Sequence, residues 1–329
     1  MKLSVIIPVY NRPEEIDELL RSLSVQDFAE NYQIVIVEDG STKDCRSVIE
    51  KYSSLDITYF YKSNSGPGDS RNFGMLNANG DYFIILDSDC VLPKDYLSQI
   101  KKSLENDFVD CFGGVDDAQI DFSSTQKAIN FAMTSLLTTG GIRGRSQKIA
   151  KFQPRSFNMG ISKKAFETSH GFSNIHPGED PDLAMRLWDL GFRTKLFKNI
   201  KVYHKRRVSW LDFFVQVNRF GKARVILNKW HPKHKKLVFF FPVCFLICFG
   251  FSVFLFLFNF PFLFLSYLFY FVICGVVSTI KNKNVIVGCL SVFAVAIQFC
   301  GYGLGFIKAF YKINLLHQKP EKALSEMFF

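Results

Sequence analysis

Three groups of acidic residues stand where an extended or irregular stretch gives way to a turn. Asp87-Ser88-Asp89 follows the apolar run Tyr82–Leu86, Glu38-Asp39 closes the run Gln33–Val37, and Glu179-Asp180-Pro181-Asp182 opens an amphipathic stretch. Two carboxylates two residues apart on one turn, such as Asp87 and Asp89, can hold a hard divalent cation. Mg2+ and Mn2+ prefer oxygen ligands of this kind and share them with substrate phosphates. An Asp-x-Asp turn also serves simply to cap a following helix, so the motif needs support from the rest of the chain. At Glu179–Asp182, three carboxylates in four residues exceed what complementing a helix dipole requires.

The elements that must carry these groups follow from periodicity. Tyr82–Leu86 is short, aromatic and β-branched, which predicts a buried strand. Leu3–Val9, Gln33–Val37 and Ile57–Tyr61 have the same character, and Glu14–Leu23, Lys43–Tyr52 and Asp69–Asn77 read as the intervening helices. Alternation of this kind implies a parallel sheet covered on both faces, with right-handed crossovers. In such sheets ligands sit outside the carboxyl ends of the strands, where Glu38-Asp39 and Asp87/Asp89 fall. Further on, Asp95–Asn106 and Gln126–Leu137 read as helices. Val109–Val115, Phe157–Ser162, Phe192–Phe197 and Lys201–His204 read as strands. Thr138–Lys151, rich in Gly and Arg, reads as a loop that either lies plainly on the surface or closes on phosphate. Pro181 suits a first helical turn, and Leu183, Leu187 and Leu190 give that helix its apolar face before Gly191. The first turn is PVYNRP, with no GxGxxG and no Walker-type loop. A phosphate bound here is therefore met by metal or basic side chains rather than a glycine cradle.

The 329 residues are 48% hydrophobic and include 37 Phe, concentrated after Leu237. Leu237–Phe258, Phe262–Ile280 and Val285–Ile307 approach or exceed the roughly 20 apolar residues that span a bilayer. The third, with Gln298 and several glycines, suits a tilted or re-entrant helix. Ser209–Trp230 combines an aromatic stripe with basic residues, and it reads as either an interfacial helix or a core helix. The basic run Lys229–Lys236 directly before the first span places that end, and the domain preceding it, on the cytoplasmic side. Met1-Lys2 leads straight into a strand, with no signal peptide. The net charge of +10 gathers beside the spans, so anionic lipid is expected as a partner and nucleic acid is not. The eight cysteines form no CxxC pair, so neither disulfides nor a zinc site are expected in a reducing compartment. The expected organisation is a catalytic domain over residues 1–208, an amphipathic and basic linker over 209–236, and a membrane domain over 237–329.

SVIIPVYNR at Ser4–Arg12, VEDGS at Val37–Ser41, SGPGDSRNFG at Ser65–Gly74, LDSDC at Leu86–Cys90 and GEDPDLAMRLWDLG at Gly178–Gly191 together resemble the family 2 glycosyltransferases. The resemblance covers Met1–Trp230 and is specific as a set rather than motif by motif. It implies a GT-A-type α/β nucleotide-binding domain with a mostly parallel sheet, followed here by transmembrane helices, and a nucleotide-diphosphate sugar as donor. It also implies that Pro8, Tyr10 and Asp39 line the base and ribose, and that Arg71 lies near the nucleotide. Asp87 and Asp89 would be the metal motif, with Asp89 the direct ligand of Mg2+ or Mn2+. Asp180 of the Glu179-Asp180 pair would be the catalytic base, and His204 would stand where relatives place a metal- or phosphate-contacting His. Phe220-Gly221-Lys222-Ala223-Arg224 and the stretch beyond are similar to membrane-bound members that build bacterial surface polysaccharides. That implies a lipid-linked or polysaccharide acceptor at the cytoplasmic membrane. Asp69 stands where the family often has a small residue, and Gln216-Val217-Asn218-Arg219-Phe220 only approximates the Gln-x-x-Arg-Trp motif of processive members.

The chemistry is consistent with this resemblance. Transfer breaks the bond between the anomeric carbon and the diphosphate, whose growing charge a divalent cation neutralises. The acceptor hydroxyl needs a base within hydrogen-bond reach, and a base facing the leaving group gives inversion. Desolvation beside Glu179 would raise the Asp180 pKa toward a useful range. A sugar-nucleotide-forming nucleotidyltransferase is the alternative enzyme, but it would need a glycine-rich basic loop that PVYNRP does not supply. A non-catalytic membrane scaffold is the third reading.

Overall fold

A computed structural model describes residues 1–117, 122–139, 151–204 and 209–329. Most of the loop expected at Thr138–Lys151 lies outside the described residues. The chain divides into two compact units. The first comprises residues 1–119, 147–205 and Phe329, and the second comprises 120–146 and 206–328.

The first unit is built on an eight-stranded sheet among the described residues. Its strands are β1 (Leu3–Val9), β2 (Gln33–Asp39), β3 (Ile57–Lys62), β4 (Tyr82–Leu86), β5 (Cys90–Val91), β6 (Cys111–Asp117), β7 (Asn158–Ser162) and β8 (Thr194–His204), in the order β3-β2-β1-β4-β7-β6-β8-β5. β1 lies parallel between β2 and β4, and β2 pairs parallel with β3. β7 runs antiparallel to both neighbours, while β6 and β8 are parallel. The two segments expected as separate strands at Phe192–Phe197 and Lys201–His204 are one strand, β8. A register shift against β6 at Gly113/Val115 accommodates the interruption between them.

β1 shows why the sheet needs helices on both faces. Val5, Ile7 and Val9 enter one apolar cluster and Ile6 the other, as the two-residue period of a strand requires. The first cluster is closed by α1 (Pro13–Ser24), α2 (Arg46–Ile49) and α4 (Tyr96–Asn106). The second is closed by α3 (Pro67–Leu76), α7 (Lys163–Ser169) and α8 (Glu179–Asp189). α1 has Pro13 in its first turn with Glu14 and Glu15, and Arg21 in its last, so its charges complement the helix dipole. α2 is shorter than the helix expected over Lys43–Tyr52. The backbone N–H groups of Lys43 and Cys45 donate to the Asn11 and Glu38 side chains instead, so helical bonding starts only at Arg46.

In the second unit, α5 (Ser124–Thr134) and α6 (Leu136–Thr139) join α9 (Trp210–Trp230), α10 (Phe241–Leu257), α11 (Phe262–Asn282), α12 (Val285–Phe310) and α13 (Pro320–Ala323). Ser123 and Gln126 form a reciprocal capping box at the start of α5. Leu237–Leu257, Phe262–Asn282 and Val285–Leu315 are long and apolar enough to cross a membrane. The most apolar windows of the first two are only 11% covered, whereas that of the third is 39% covered, chiefly because α9 lies along it. The aromatic stripe of α9 turns Phe213 and Val217 into the cluster containing Val295 and Phe299 of α12. Gly221 permits the close approach: a Cβ there would lie 2.2 Å from the Tyr302 carbonyl oxygen.

α3 is seated on the sheet by Gly74, where an added Cβ would lie 2.6 Å from Ile6 Cγ2 and 3.2 Å from Val37 Cγ2. Gly74→Ala should therefore overpack a fully buried seam and cost about 1–3 kcal/mol. The expected readout is a lower thermal unfolding midpoint of the detergent-solubilised chain, and an unchanged midpoint would contradict this packing.

Candidate active site

The carboxyl ends of β1, β2 and β4 bring the first two acidic groups to one edge of the sheet. Glu38 is fully buried at the end of β2. It accepts hydrogen bonds from the Ser41 hydroxyl and, at 2.9 Å, from the Cys45 N–H. Asn11, at φ 54°, accepts from the Thr42 and Lys43 N–H groups at 2.9 and 3.0 Å. Glu38 and Asn11 thus lock the two turns, leaving Tyr10 half exposed at 53% beside them. Pro8 sits in β1 opposite Val37 of β2.

Asp39 is buried and anchors the loop before α3. Its Oδ1 accepts from Lys62 Nζ at 2.6 Å and from the Ser65 N–H at 3.0 Å, and its Oδ2 accepts from the Gly66 N–H at 3.0 Å. Lys62 also pairs with Asp69 at 3.2 Å. Lys62 stands opposite Asp39 in the β2–β3 register, a relation that pairing of the two predicted strands could have exposed.

The Asp87 and Asp89 carboxylates each meet an arginine. Arg12 Nη1 donates to Asp89 Oδ2 at 2.6 Å. Arg71 is buried in α3 and donates through Nη2 to Asp87 Oδ1 at 2.9 Å, while its Nη1 lies 3.5 Å from Glu179 Oε1. Arg71 also lies over the Phe172 ring, 5.5 Å from its centroid. Arg71 therefore joins the β4 turn to the start of α8, whose Glu179 lies 108 residues beyond Arg71 in sequence. Arg12 was legible only as part of a motif, and the bridging role of Arg71 was not legible at all.

At the start of α8 the three acids separate into different roles. Asp182 is bound by Arg186 Nε at 2.9 Å and Nη2 at 2.7 Å. Arg186 in turn donates to the carbonyl oxygens of Ser169 and Gly171, so Asp182 fixes α8 to the end of α7. Glu179 is buried, which alone would raise its pKa. The His176 ring, whose Nδ1 lies 2.9 Å from Oε1, the Arg71 charge and the Glu179 backbone N–H outweigh burial and hold it below the usual range, and the Gly178 N–H donates to its Oε2 at 2.8 Å. Asp180 has far fewer donors. Its Oδ2 accepts from the Ser156 N–H at 3.1 Å, while its Oδ1 is shielded from solvent with no hydrogen-bond partner among the described residues. Burial, and then the charge of Glu179, push Asp180 up to about 6. Neighbouring carboxylates driven apart in this way can divide structural and proton-accepting work. His176 and Ser156 lie outside every sequence motif, and no signal in the sequence marks them.

The β5–β8 pairing sets the His204 backbone opposite Cys90, next to Asp89; the His204 side chain lies outside the described residues. Asp116, near the end of β6, pairs in register with Val202 of β8. This is a further acid at the same strand ends that sequence reading passed over. Asp87 and Asp89 are all-oxygen ligands at the sheet edge, and the Asp87 side chain is 33% exposed. They suit Mg2+ or Mn2+ with the remaining positions filled by water and substrate phosphate. Among the described residues no cluster of three or more His, Cys, Asp or Glu forms a self-sufficient metal cage.

The raised Asp180 pKa has a consequence for stability. Between its ordinary value of 3.8 and about 6 the native state holds a proton that the unfolded chain has released. Stability contributed by this group is therefore full below that window and falls as pH rises through it. Asp180→Asn removes the loss. The variant should melt above the parent at pH 8, with the difference closing below pH 4, as read by thermal scans across pH.

A family model described as "Glycosyl transferase family 2" matches residues 4–169, half of the chain. An uncharacterized glycosyltransferase of Rickettsia conorii is 43% identical over 111 residues, covering 33% of this chain and 18% of the relative. The chain thus spans less than a fifth of that relative's length. The succinoglycan biosynthesis protein ExoA of Rhizobium meliloti is 24% identical over 225 residues, covering 67% of this chain and 68% of the relative. Among solved structures, a mannosyltransferase from Pyrobaculum calidifontis in complex with GDP-Man and Mn2+ is similar in fold. It has a TM-score of 0.57 at 17% identity, covering 97% of this chain and 88% of that one.

Proposed function

Since the chain belongs to glycosyl transferase family 2, we propose that it transfers a sugar, with inversion, from a nucleotide-diphosphate sugar to a hydroxyl of a lipid-linked or polysaccharide acceptor at the cytoplasmic membrane. The observation that carries this reading is the Arg71 bridge. It joins the Asp87 turn to the Glu179-Asp180 pair, so that a donor-side acid and a raised-pKa acid belong to one site.

In this reading Pro8, Tyr10 and Asp39 border the nucleoside, and Asp39 keeps the 62–66 loop in place while doing so. Arg71 orients Asp87 and holds Glu179 ionised. Burial, together with ionised Glu179, then keeps Asp180 a better base than an ordinary carboxylate. Asp180 takes the proton of the acceptor hydroxyl as that oxygen attacks the anomeric carbon, and the bond to the diphosphate breaks on the opposite face. No covalent intermediate on the chain is required. Asp87 and Asp89, with His204, would hold Mg2+ or Mn2+, which supplies Lewis-acid neutralisation of the leaving diphosphate. The Mn2+ of the Pyrobaculum mannosyltransferase complex and the polysaccharide role in the name of ExoA support this reading. The apolar helices and the basic run before them support a multi-pass anchor with the catalytic unit on the cytoplasmic side.

Three measurements test it. Asp180→Asn should lower turnover about 10²–10⁴-fold while leaving donor binding intact, and full turnover would remove Asp180 from the base role. In the parent, kcat/KM should rise about tenfold per pH unit below the Asp180 pKa and level off above about 6.

Binding of UDP and GDP, each with and without Mn2+, should show metal dependence for one of them by calorimetry. Asp89→Ala should abolish the metal-dependent part. Metal-independent binding that is unchanged in Asp89→Ala would overturn the metal assignment.

A further inference from the structure

The helical unit contains a cavity that the transfer chemistry does not use. It has a volume of ≈ 220 Å³ and lies among the end of α9, the segment before α10 and the end of α12. Its polar lining is Asn228, Lys229, Lys235, Asn314 and His317, with no carboxylate among the described residues that line it. Lys229 and Lys235 reach the same cavity because the chain turns between them. The Pro232–His234 turn is closed by the His234 N–H donating to the His231 carbonyl at 3.0 Å.

The opposite wall is aromatic. Phe240 meets Phe306 edge-on at 5.3 Å, and Phe306 stacks on Phe310 at 6.2 Å between centroids. Nearby, the Arg224 guanidinium lies 3.7 Å from the centroid of Phe239, and its Nη1 is buried without a hydrogen-bond partner. Glu326, in the segment after α13, is engaged by Lys222 at 3.2 Å. The positive charge of the cavity is therefore left uncompensated by its own lining.

The cavity adjoins the start of the first apolar span: Phe240 lies in its first turn, directly before α10, and Lys235 just precedes it. Cationic and amide donors at the head of a membrane helix, with aromatic rings leading into the span, fit an amphiphile carrying an anionic head and a hydrocarbon tail. The volume is below the roughly 300–1,000 Å³ of pockets that enclose a drug-sized molecule, so it suits a head group rather than a whole sugar nucleotide.

We propose that this cavity binds the phosphate head group of an anionic membrane lipid. Lys229 and Lys235 neutralise the phosphate, Asn228 and Asn314 donate to it, and the hydrocarbon chain runs along Phe240 and Phe306. The proposal rests on the membrane-anchored reading above and not on sugar transfer.

The test is native mass spectrometry of the full chain released from vesicles of phosphatidylglycerol and phosphatidylcholine. The parent should retain phosphatidylglycerol in preference to phosphatidylcholine. Lys229→Ala/Lys235→Ala should weaken that retention by about five-fold per lysine. Lys229→Arg/Lys235→Arg should restore it, and Lys281→Ala/Lys283→Ala, which removes the same charge elsewhere, should not change it. Equal loss in both alanine pairs would reduce the effect to diffuse surface charge and overturn the site. Equal retention of the two lipids, or displacement by millimolar inorganic phosphate alone, would also overturn it. Nucleotide binding by the Lys229→Ala/Lys235→Ala variant reports on the catalytic unit separately. A parent that retains lipid but binds no nucleotide would sink the transferase reading and leave this one standing.

Discussion

The buried guanidinium of Arg71 is the constraint on which the catalytic unit depends. It is held in α3 against Asp87 and Glu179. Burial alone would disfavour its charge, and the two carboxylates outweigh that. Removing Arg71 would leave the buried Glu179 short of a charge partner, which is why buried ionic contacts of this kind are costly to break. The bond is also topological. It fastens the turn after the central strand β4 to the first turn of α8, so two segments far apart in sequence share one electrostatic environment.

That environment explains why adjacent acids behave differently. Glu179 is given an arginine, a histidine and a backbone N–H, and it stays ionised. Asp180 is given one backbone N–H from Ser156 and the repulsion of its neighbour. The same device is used structurally at Asp182, where Arg186 consumes the charge to fix α8. Three carboxylates in four residues thus become a ballast, a base candidate and a clamp, through the donors that other elements bring to them.

The helical unit follows a different logic. Its cohesion comes from close helix approach rather than charge: Gly221 lets α9 lie against α12, and Phe213 and Val217 complete the shared cluster. α10 and α11 instead leave their apolar side chains uncovered, as expected of helices whose solvent is hydrocarbon. The basic residues Lys229, Lys233, Lys235 and Lys236 fall at the end of α9 and in the segment between α9 and α10.

Much of this was legible in the sequence because it depends on local, repetitive signals. Strand alternation with helices, the acids at strand ends, the first turn of α8 and the three apolar stretches are all encoded within windows of a few residues. The order β3-β2-β1-β4-β7-β6-β8-β5, the antiparallel β7 and the continuity of β8 depend on pairing between distant segments, so no single window contains them. The site divides the same way. Asp39, Asp87, Asp89, Glu179 and Asp180 could be picked out by type and position. Arg12 on Asp89, His176 on Glu179 and Ser156 beside Asp180 could not, because a carboxylate's partner is chosen by tertiary folding. Sequence alone determined which acids stand at the edge of the sheet. Only the tertiary structure decided which of them are neutralised and which is left with a raised pKa, because burial and neighbouring charge set a pKa and neither is a property of the chain read in one dimension.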